Sequence, residues 1–305
     1  QKTADAYAFA MAVGQEGSGD DVALAVTNHG DITATGKAYA LAEDTSRWGN
    51  ATAYATGVYQ AGEGDVNTLS VDNHGSIKAS ATATGIGSYG YGYAYAQGVY
   101  QEGDEDVADL SVYNEGDITV SAVAYGTATL TYAYAFASAS GIYQEGDASV
   151  SRLDVYNEGT INVTATANMV AEKYYGTAYA YAYGISQVAD GDTADLTVTN
   201  HNVISVTATA SATASGTTGD GYQAYAYAAA TGVNQDGDAN VNTLVLSNDG
   251  SIAASATANG MDEGTASYAY GYAYVTGIYQ EADGDTASLT VTNLGDISAT
   301  ADANA

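Results

Sequence analysis

Leu110-Ser111-Val112-Tyr113-Asn114-Glu115-Gly116-Asp117-Ile118 is the stretch that decides how this chain folds. Leu110, Val112 and Asn114 fall on one side of a two-residue alternation, the period of a strand with one buried face. Asn-x-Gly then reads as a turn, and Ile118 opens a second alternating run. The pattern returns along the whole chain. Each of Gln15, Gln60, Gln101, Gln144, Gln187, Gln235 and Gln280 is followed thirteen residues later by Asn28, Asn73, Asn114, Asn157, Asn200, Asn248 or Asn293. Four residues beyond each Asn stands Ile32, Ile77, Ile118, Ile161, Ile204, Ile252 or Ile297. The Gln spacings are 45, 41, 43, 43, 48 and 45 residues, which is repetition inside one chain and not chance.

Each repeat divides into three strand segments. Segment A is the Leu-x-Val-x-Asn run. Segment B follows the turn and alternates, as in Ile204, Val206, Ala208 and Ala210 against Ser205, Thr207, Thr209 and Ser211. Segment C is a Tyr–Ala run such as Tyr179-Ala180-Tyr181-Ala182-Tyr183, closing in Gly-[Val/Ile]-x-Gln. Alanine favours helix, but a two-residue period would scatter the tyrosines around a helix, and Tyr, Thr and Val favour strands. Length variation gathers between B and C, at residues 43–50 and 216–221.

A repeat of this size buries its apolar face only by stacking on its neighbours. The expected fold is therefore all-β, a β-solenoid (β-helix) of seven repeats of about 44 residues with three strands each. The whole chain, 1–305, forms one repeat domain, divided near 5–50, 51–88, 89–131, 132–176, 177–221, 222–266 and 267–305. Stacked coils put equivalent residues about 4.8 Å apart, so the recurring Gln and Asn are expected to form side-chain amide ladders. One coil per repeat, giving a body about 34 Å long, is favoured over two because it stacks every ladder on itself. Six turn glycines (Gly30, Gly75, Gly116, Gly159, Gly250, Gly295), with Asn202 in the remaining copy, are expected to supply a left-handed backbone. Val58, Val99, Ile142, Ile185, Val233 and Ile278 share parity with the tyrosines of C, which points Tyr inward against the small residues of B. A bulge at the preceding Gly would reverse that reading.

Composition narrows function. The chain has 36 acidic and 6 basic residues, a formal charge of -30, no Cys and no Pro. Such acidity disfavours nucleic acid and anionic membrane surfaces, and no run of 18 apolar residues predicts a spanning helix. Absence of Cys excludes disulfides and thiol chemistry; absence of Pro suits unbroken ladders. No secretory leader opens the sequence, consistent with Gln1 as a processed terminus. Five residues after Gln stand Asp20, Asp65, Asp106, Asp192 and Asp285, with Ser149 and Asn240 in the other copies. These carboxylates are candidate Ca²⁺ ligands, the alternative being solvated loops that resist aggregation; no cofactor other than calcium is expected. His29, His74 and His201 each follow a ladder Asn and read as turn residues. Thr33, Thr35, Thr82, Thr84, Thr164, Thr166, Thr207 and Thr209 form hydroxyl rows of the kind that bind ice, interrupted by Ser80, Ser121, Val123 and Ser255. Asn50-Ala51-Thr52 and Asn162-Val163-Thr164 match the glycosylation sequon. No copy carries a unique catalytic set, so no enzyme is expected.

Val26-Thr27-Asn28-His29-Gly30-Asp31-Ile32-Thr33-Ala34-Thr35-Gly36 and Leu289-Thr290-Val291-Thr292-Asn293-Leu294-Gly295-Asp296-Ile297-Ser298-Ala299-Thr300 resemble passenger repeats of bacterial autotransporter adhesins. Val233-Asn234-Gln235-Asp236-Gly237-Asp238-Ala239 resembles the curlin repeats of biofilm fibres, although repeats near 44 residues exceed curlin length. The resemblance implies a β-helix working outside the cell or at its surface. The chain opens on a C run, Tyr7, Phe9, Met11 and Val13, and closes on a B run, Ile297, Ala299 and Ala301, so a second copy would supply the next strand. The expected function is a self-assembling extracellular filament or matrix subunit whose partner is itself, head to tail, with no nucleic acid or membrane insertion. The alternative is a monomeric surface adhesin that binds a host or matrix ligand through its B–C loops; an ice-binding protein is a minor one.

Overall fold

The structure, a computed structural model, describes residues 3–42, 47–215, 222–262 and 267–305. The strands are β1 (Thr3–Ser18), β2 (Asp21–Asn28), β3 (Asp31–Leu41), β4 (Trp48–Glu63), β5 (Val66–Asn73), β6 (Ser76–Asn114), β7 (Asp117–Asn157), β8 (Thr160–Ala171), β9 (Tyr175–Asn200), β10 (Val203–Ala214), β11 (Tyr222–Asn248), β12 (Ser251–Asp262), β13 (Ser267–Asp283), β14 (Thr286–Asn293) and β15 (Asp296–Asn304). All pairing is parallel, and no helix occurs among the described residues. The Asn-x-Gly turn, Asn-His-Asn at 200–202, interrupts every coil, whereas β6 and β7 run B, C and A together as one continuous ladder.

Register answers the coil question. Gln15 pairs with Gln60, Gln60 with Gln101, Gln101 with Gln144, Gln144 with Gln187, Gln187 with Gln235 and Gln235 with Gln280. Each residue thus stacks on its equivalent one repeat away, which is one coil per repeat. The B and C segments face each other across the interior.

That interior is alanine against alanine. Ala51, Ala53, Ala94, Ala135, Ala137, Ala178 and Ala180 of C, and Ala81, Ala83, Ala122, Ala124, Ala165 and Ala167 of B, are fully buried. The expectation that tyrosine points inward is wrong: the tyrosines of C lie on the outer face, from Tyr7 at 70% exposure to half-buried positions mid-stack. The cause is a register flip at the Gly column. Around Gly141 the consecutive residues Ala139, Ser140, Gly141 and Ile142 are all buried, so alternation restarts one residue out of phase. Ala on one side of the glycine and Ile on the other therefore both face inward. Glycine is required there, because a Cβ at Gly141 would lie 2.4 Å from the Gly184 carbonyl oxygen and 2.7 Å from Ile161 Cγ2. The two sheets approach closely enough that a Cβ at Gly92 would sit 2.3 Å from the Tyr125 carbonyl oxygen.

The turn glycines are also there for a different reason than expected. None of Gly30, Gly75, Gly116, Gly159, Gly250 or Gly295, nor Asn202, lies in the left-handed region. They are small because turns stack tightly: a Cβ at Gly116 would fall 1.8 Å from the Gly75 carbonyl oxygen. Positive φ occurs instead at the tip of the acidic loop, four residues after Gln, at Gly19 (φ 141), Gly191 (φ 132), Gly284 (φ 155) and Glu105 (φ 82), and at Tyr174 (φ 76) between β8 and β9.

The apolar interior has two parts. The larger lies between B and C and includes the Ile column and Val71; the smaller holds Val22, Leu69, Leu110, Leu153, Leu196 and Leu244 under the acidic loop. The Gln column separates them, since Gln60 Nε2 donates to the carbonyl of Ser70, between Leu69 and Val71.

Candidate functional site

Both recurring amides sit where a strand brings its polar side chain inward, out of water. Gln60, Gln101, Gln144, Gln187 and Gln235, and Asn73, Asn114, Asn157, Asn200 and Asn248, are fully buried. A buried amide needs partners, and the stacked equivalents supply them. Gln60 donates to Gln15 Oε1 (2.8 Å), Gln101 to Gln60 (2.8 Å), Gln144 to Gln101 (2.8 Å), Gln187 to Gln144 (2.9 Å), Gln235 to Gln187 (2.9 Å) and Gln280 to Gln235 (2.7 Å). Asn28 donates to Asn73, Asn73 to Asn114, Asn114 to Asn157, Asn157 to Asn200, Asn200 to Asn248 and Asn248 to Asn293, each at 2.7 Å. Each such bond is worth about 1 kcal/mol net.

The two ladders run in opposite directions. Every Gln donates toward the first coil, and every Asn donates toward the last. At the first coil Gln15 therefore offers its amide N–H and Asn28 its carbonyl oxygen. At the last coil Gln280 offers a carbonyl oxygen and Asn293 an amide N–H. Stacked in register, the two faces meet donor to acceptor at both columns.

The end coils also expose core columns. Leu289, Val291 and Ile297 are 46%, 48% and 39% exposed, whereas their partners one coil below, Leu244, Leu246 and Ile252, are fully buried. Ala299 and Ala301 continue that open edge. At the other end Val13 packs on the core, but Tyr7, Phe9 and Met11 project outward, so the inward-facing set is Ala6, Ala8, Ala10 and Val13.

The acidic loop carries two carboxylate columns on one face. Asp20, Asp65, Asp106, Asp192 and Asp285 are all exposed, and their column is broken by Ser149 and Asn240, with Asn240 Nδ2 donating to Asp192 (3.0 Å). Among the described residues, no group of three or more His, Asp or Glu is placed to hold a metal ion. A second column, three residues after Gln, opens on Ser18 and is then continuous: Glu63, Asp104, Asp147, Asp190, Asp238 and Asp283 stack in register. Sequence reading missed it by following the wrong offset, although the same count from Gln finds it. Desolvation first, then repulsion from Asp147 and neighbouring carboxylates, raises the Asp104 carboxyl; desolvation and Asp238 do the same to Asp190. Glu102 is likewise raised by desolvation, against the lowering effect of the hydrogen bond from Tyr100. Burial and Glu145 push the Tyr143 phenol up to about 12.

The histidines lie in the stacked turns. His29 stacks on His74 with ring centroids 4.9 Å apart, His74 contacts Glu115 (2.6 Å) and Asp72 (3.0 Å), and His201 contacts Asp249 (2.5 Å). The hydrogen bond with Glu115 raises the His74 pKa, and Tyr113 and His74 lower that of Glu115. The Thr rows face outward on B, in columns shared with Lys37, Val123 and Asp302. Asn50 Nδ2 donates to Asp5 (2.8 Å), and Asn162 is exposed on β8. Of the loops expected to vary, residues 43–46 and 216–221 lie outside the described residues. No family model, curated protein or solved structure matches the chain.

Proposed function

We propose that this chain is a structural subunit that joins head to tail, by completing the solenoid between copies, into an extracellular filament or matrix fibre. The observation that carries the reading is that the open ladder ends of the last coil match those of the first when the coil register is continued. Placing Gln15 of one copy over Gln280 of another sets donor to acceptor, and Asn293 under Asn28 does the same. A symmetric joint of two like ends would instead reverse the winding of one copy, so its strands would meet antiparallel and break the all-parallel, equivalent-on-equivalent register of the coils. The interface is therefore heterologous, and a heterologous joint that does not close propagates as a fibre. Covering Leu289, Val291 and Ile297, each about half exposed, adds about 1 kcal/mol apiece. Open solenoid edges template such pairing. The likeness of segments A and B to adhesin passenger repeats, and of the Gln loops to curlin repeats, supports a site of action outside the cell.

Negative-stain electron microscopy of the purified chain, with Ca²⁺ and with chelator, tests this. Unbranched filaments in both conditions are expected, and their loss is expected on Gln280→Lys with Asn293→Asp, which leaves the inner coils untouched. Short isolated rods at high concentration would sink the filament and favour the monomeric adhesin.

A further inference from the structure

On the outer face, the register flip at the glycine column leaves a crease running along the solenoid axis. A groove of about 420 Å³ in it is lined by Ser138 and Ser140 among others. The tyrosine column of C there reads Tyr54, Tyr95, Ser138, Tyr181, so one rung lacks its ring. In the adjoining column Ser140 stands between Gln97 and Tyr183. The stacked rings of Tyr54 and Tyr95, with centroids 4.8 Å apart, wall one end, and Tyr183 the other. Tyr143, Ser186 and Asn234 close the far side across the crease, and Asn234 Nδ2 donates to Ser186 Oγ (3.3 Å).

We propose that this groove binds a neutral glycan chain lying along the solenoid axis. Three observations define the ligand. The lining holds no charged residue, although the chain carries a formal charge of -30, so neither an anionic nor a cationic ligand finds a partner in it. The strands beneath are already paired on both sides, so no backbone edge is free to take an extended peptide. Ring faces alternate with hydroxyls and amides, which matches pyranose rings with apolar faces and hydroxyl rims. Ser140 adds an independent sign: it is 8% exposed, it lines the groove, and its hydroxyl has no hydrogen-bond partner. Turned toward the groove, it would be satisfied by a ligand hydroxyl. The groove lies on the middle coils, away from both end coils, so occupancy does not depend on assembly.

Calorimetric titration with cellohexaose, laminarihexaose and chitohexaose tests the proposal, with hexagalacturonate as the acidic comparison. At least one neutral hexasaccharide is expected to bind. Ser140→Tyr, which copies the side chain of Tyr183 in the same column, fills the groove and should abolish binding. Ser140→Ala should weaken it roughly fivefold to tenfold, the loss of one hydrogen bond, with an unchanged melting temperature. Should Ser140→Tyr melt early, Ser140→Ala decides. Failure of all three neutral sugars to bind, tighter binding of hexagalacturonate, or wild-type affinity in Ser140→Ala would overturn the assignment. The same titration on the Gln280→Lys, Asn293→Asp chain should give wild-type affinity, which separates this site from the filament joint.

Discussion

Replacing Gln144 with Leu probes the ladder at its centre. Gln144 donates to Gln101 Oε1 (2.8 Å) and to the Asp154 carbonyl (3.3 Å), and accepts from Gln187 (2.9 Å). In the variant, Gln187 Nε2 keeps the carbonyls of Leu153 (2.8 Å) and Thr197 (3.1 Å), so that donor is not orphaned. Gln101 Oε1 loses its ladder donor in a fully buried position. An orphaned buried acceptor costs about 1–3 kcal/mol and each lost bond about 1 kcal/mol, partly offset by the apolar side chain, for a total of about 3 kcal/mol. Gln280→Leu orphans Gln235 Oε1 at a part-buried rung that water reaches, and should cost about 1 kcal/mol. Gln15→Leu removes an acceptor whose donor, Gln60, still holds the Ser70 carbonyl at 3.1 Å, and should cost less than about 1 kcal/mol. Urea unfolding followed by circular dichroism, fitted with a nearest-neighbour scheme because coils couple only to their neighbours, measures all three. The order Gln144, Gln280, Gln15 is the prediction. Equal costs at Gln144 and Gln15 would refute the claim that directional amide bonds, and not side-chain volume, hold the column.

Gly141→Ala should destabilise by about 3 kcal/mol, since the new Cβ meets the Gly184 carbonyl and Ile161 Cγ2, neither able to withdraw; thermal unfolding reads it. Glu105 holds φ 82, a conformation an L-residue adopts at a cost of about 1–2 kcal/mol, so Glu105→Gly should raise stability by up to about 1 kcal/mol in the same assay. Stability should fall as pH rises from 4 to 7 at low salt. Asp104, Glu102 and Asp190 have carboxyls raised in the folded state. The folded chain therefore binds more protons than the unfolded chain above their ordinary pKa, and the stability present below that value is lost as pH rises through the folded one. Added salt should remove only the part of this slope that comes from carboxylate repulsion, leaving the part from desolvation, and a melting temperature rising over the interval would contradict the account.

Much of this architecture is legible in the sequence because a solenoid writes each position once per coil. The Gln and Asn columns, the Ile column and the turn between A and B follow from counting, and the register confirms them. The carboxylate column beginning at Glu63 is equally open to a count, three residues after Gln, beside the interrupted row beginning at Asp20. Local alternation, by contrast, misplaced the tyrosines. Parity carries a side chain's direction only while the strand stays regular, and at Gly57, Gly98, Gly141, Gly184, Gly232 and Gly277 it does not. Nor does a one-dimensional pattern distinguish a glycine needed for φ from one needed for space; Gly116 is of the second kind, because the Gly75 carbonyl of the preceding coil occupies the volume of its Cβ. The crease at Ser140 exists only once Gln97, Tyr143 and Tyr183, from three different coils, are brought together. Composition and period thus determined what stacks on what. Which face is inside, and where the surface is hollow, were decided by contacts between coils and across the two sheets, which no single stretch of the chain contains.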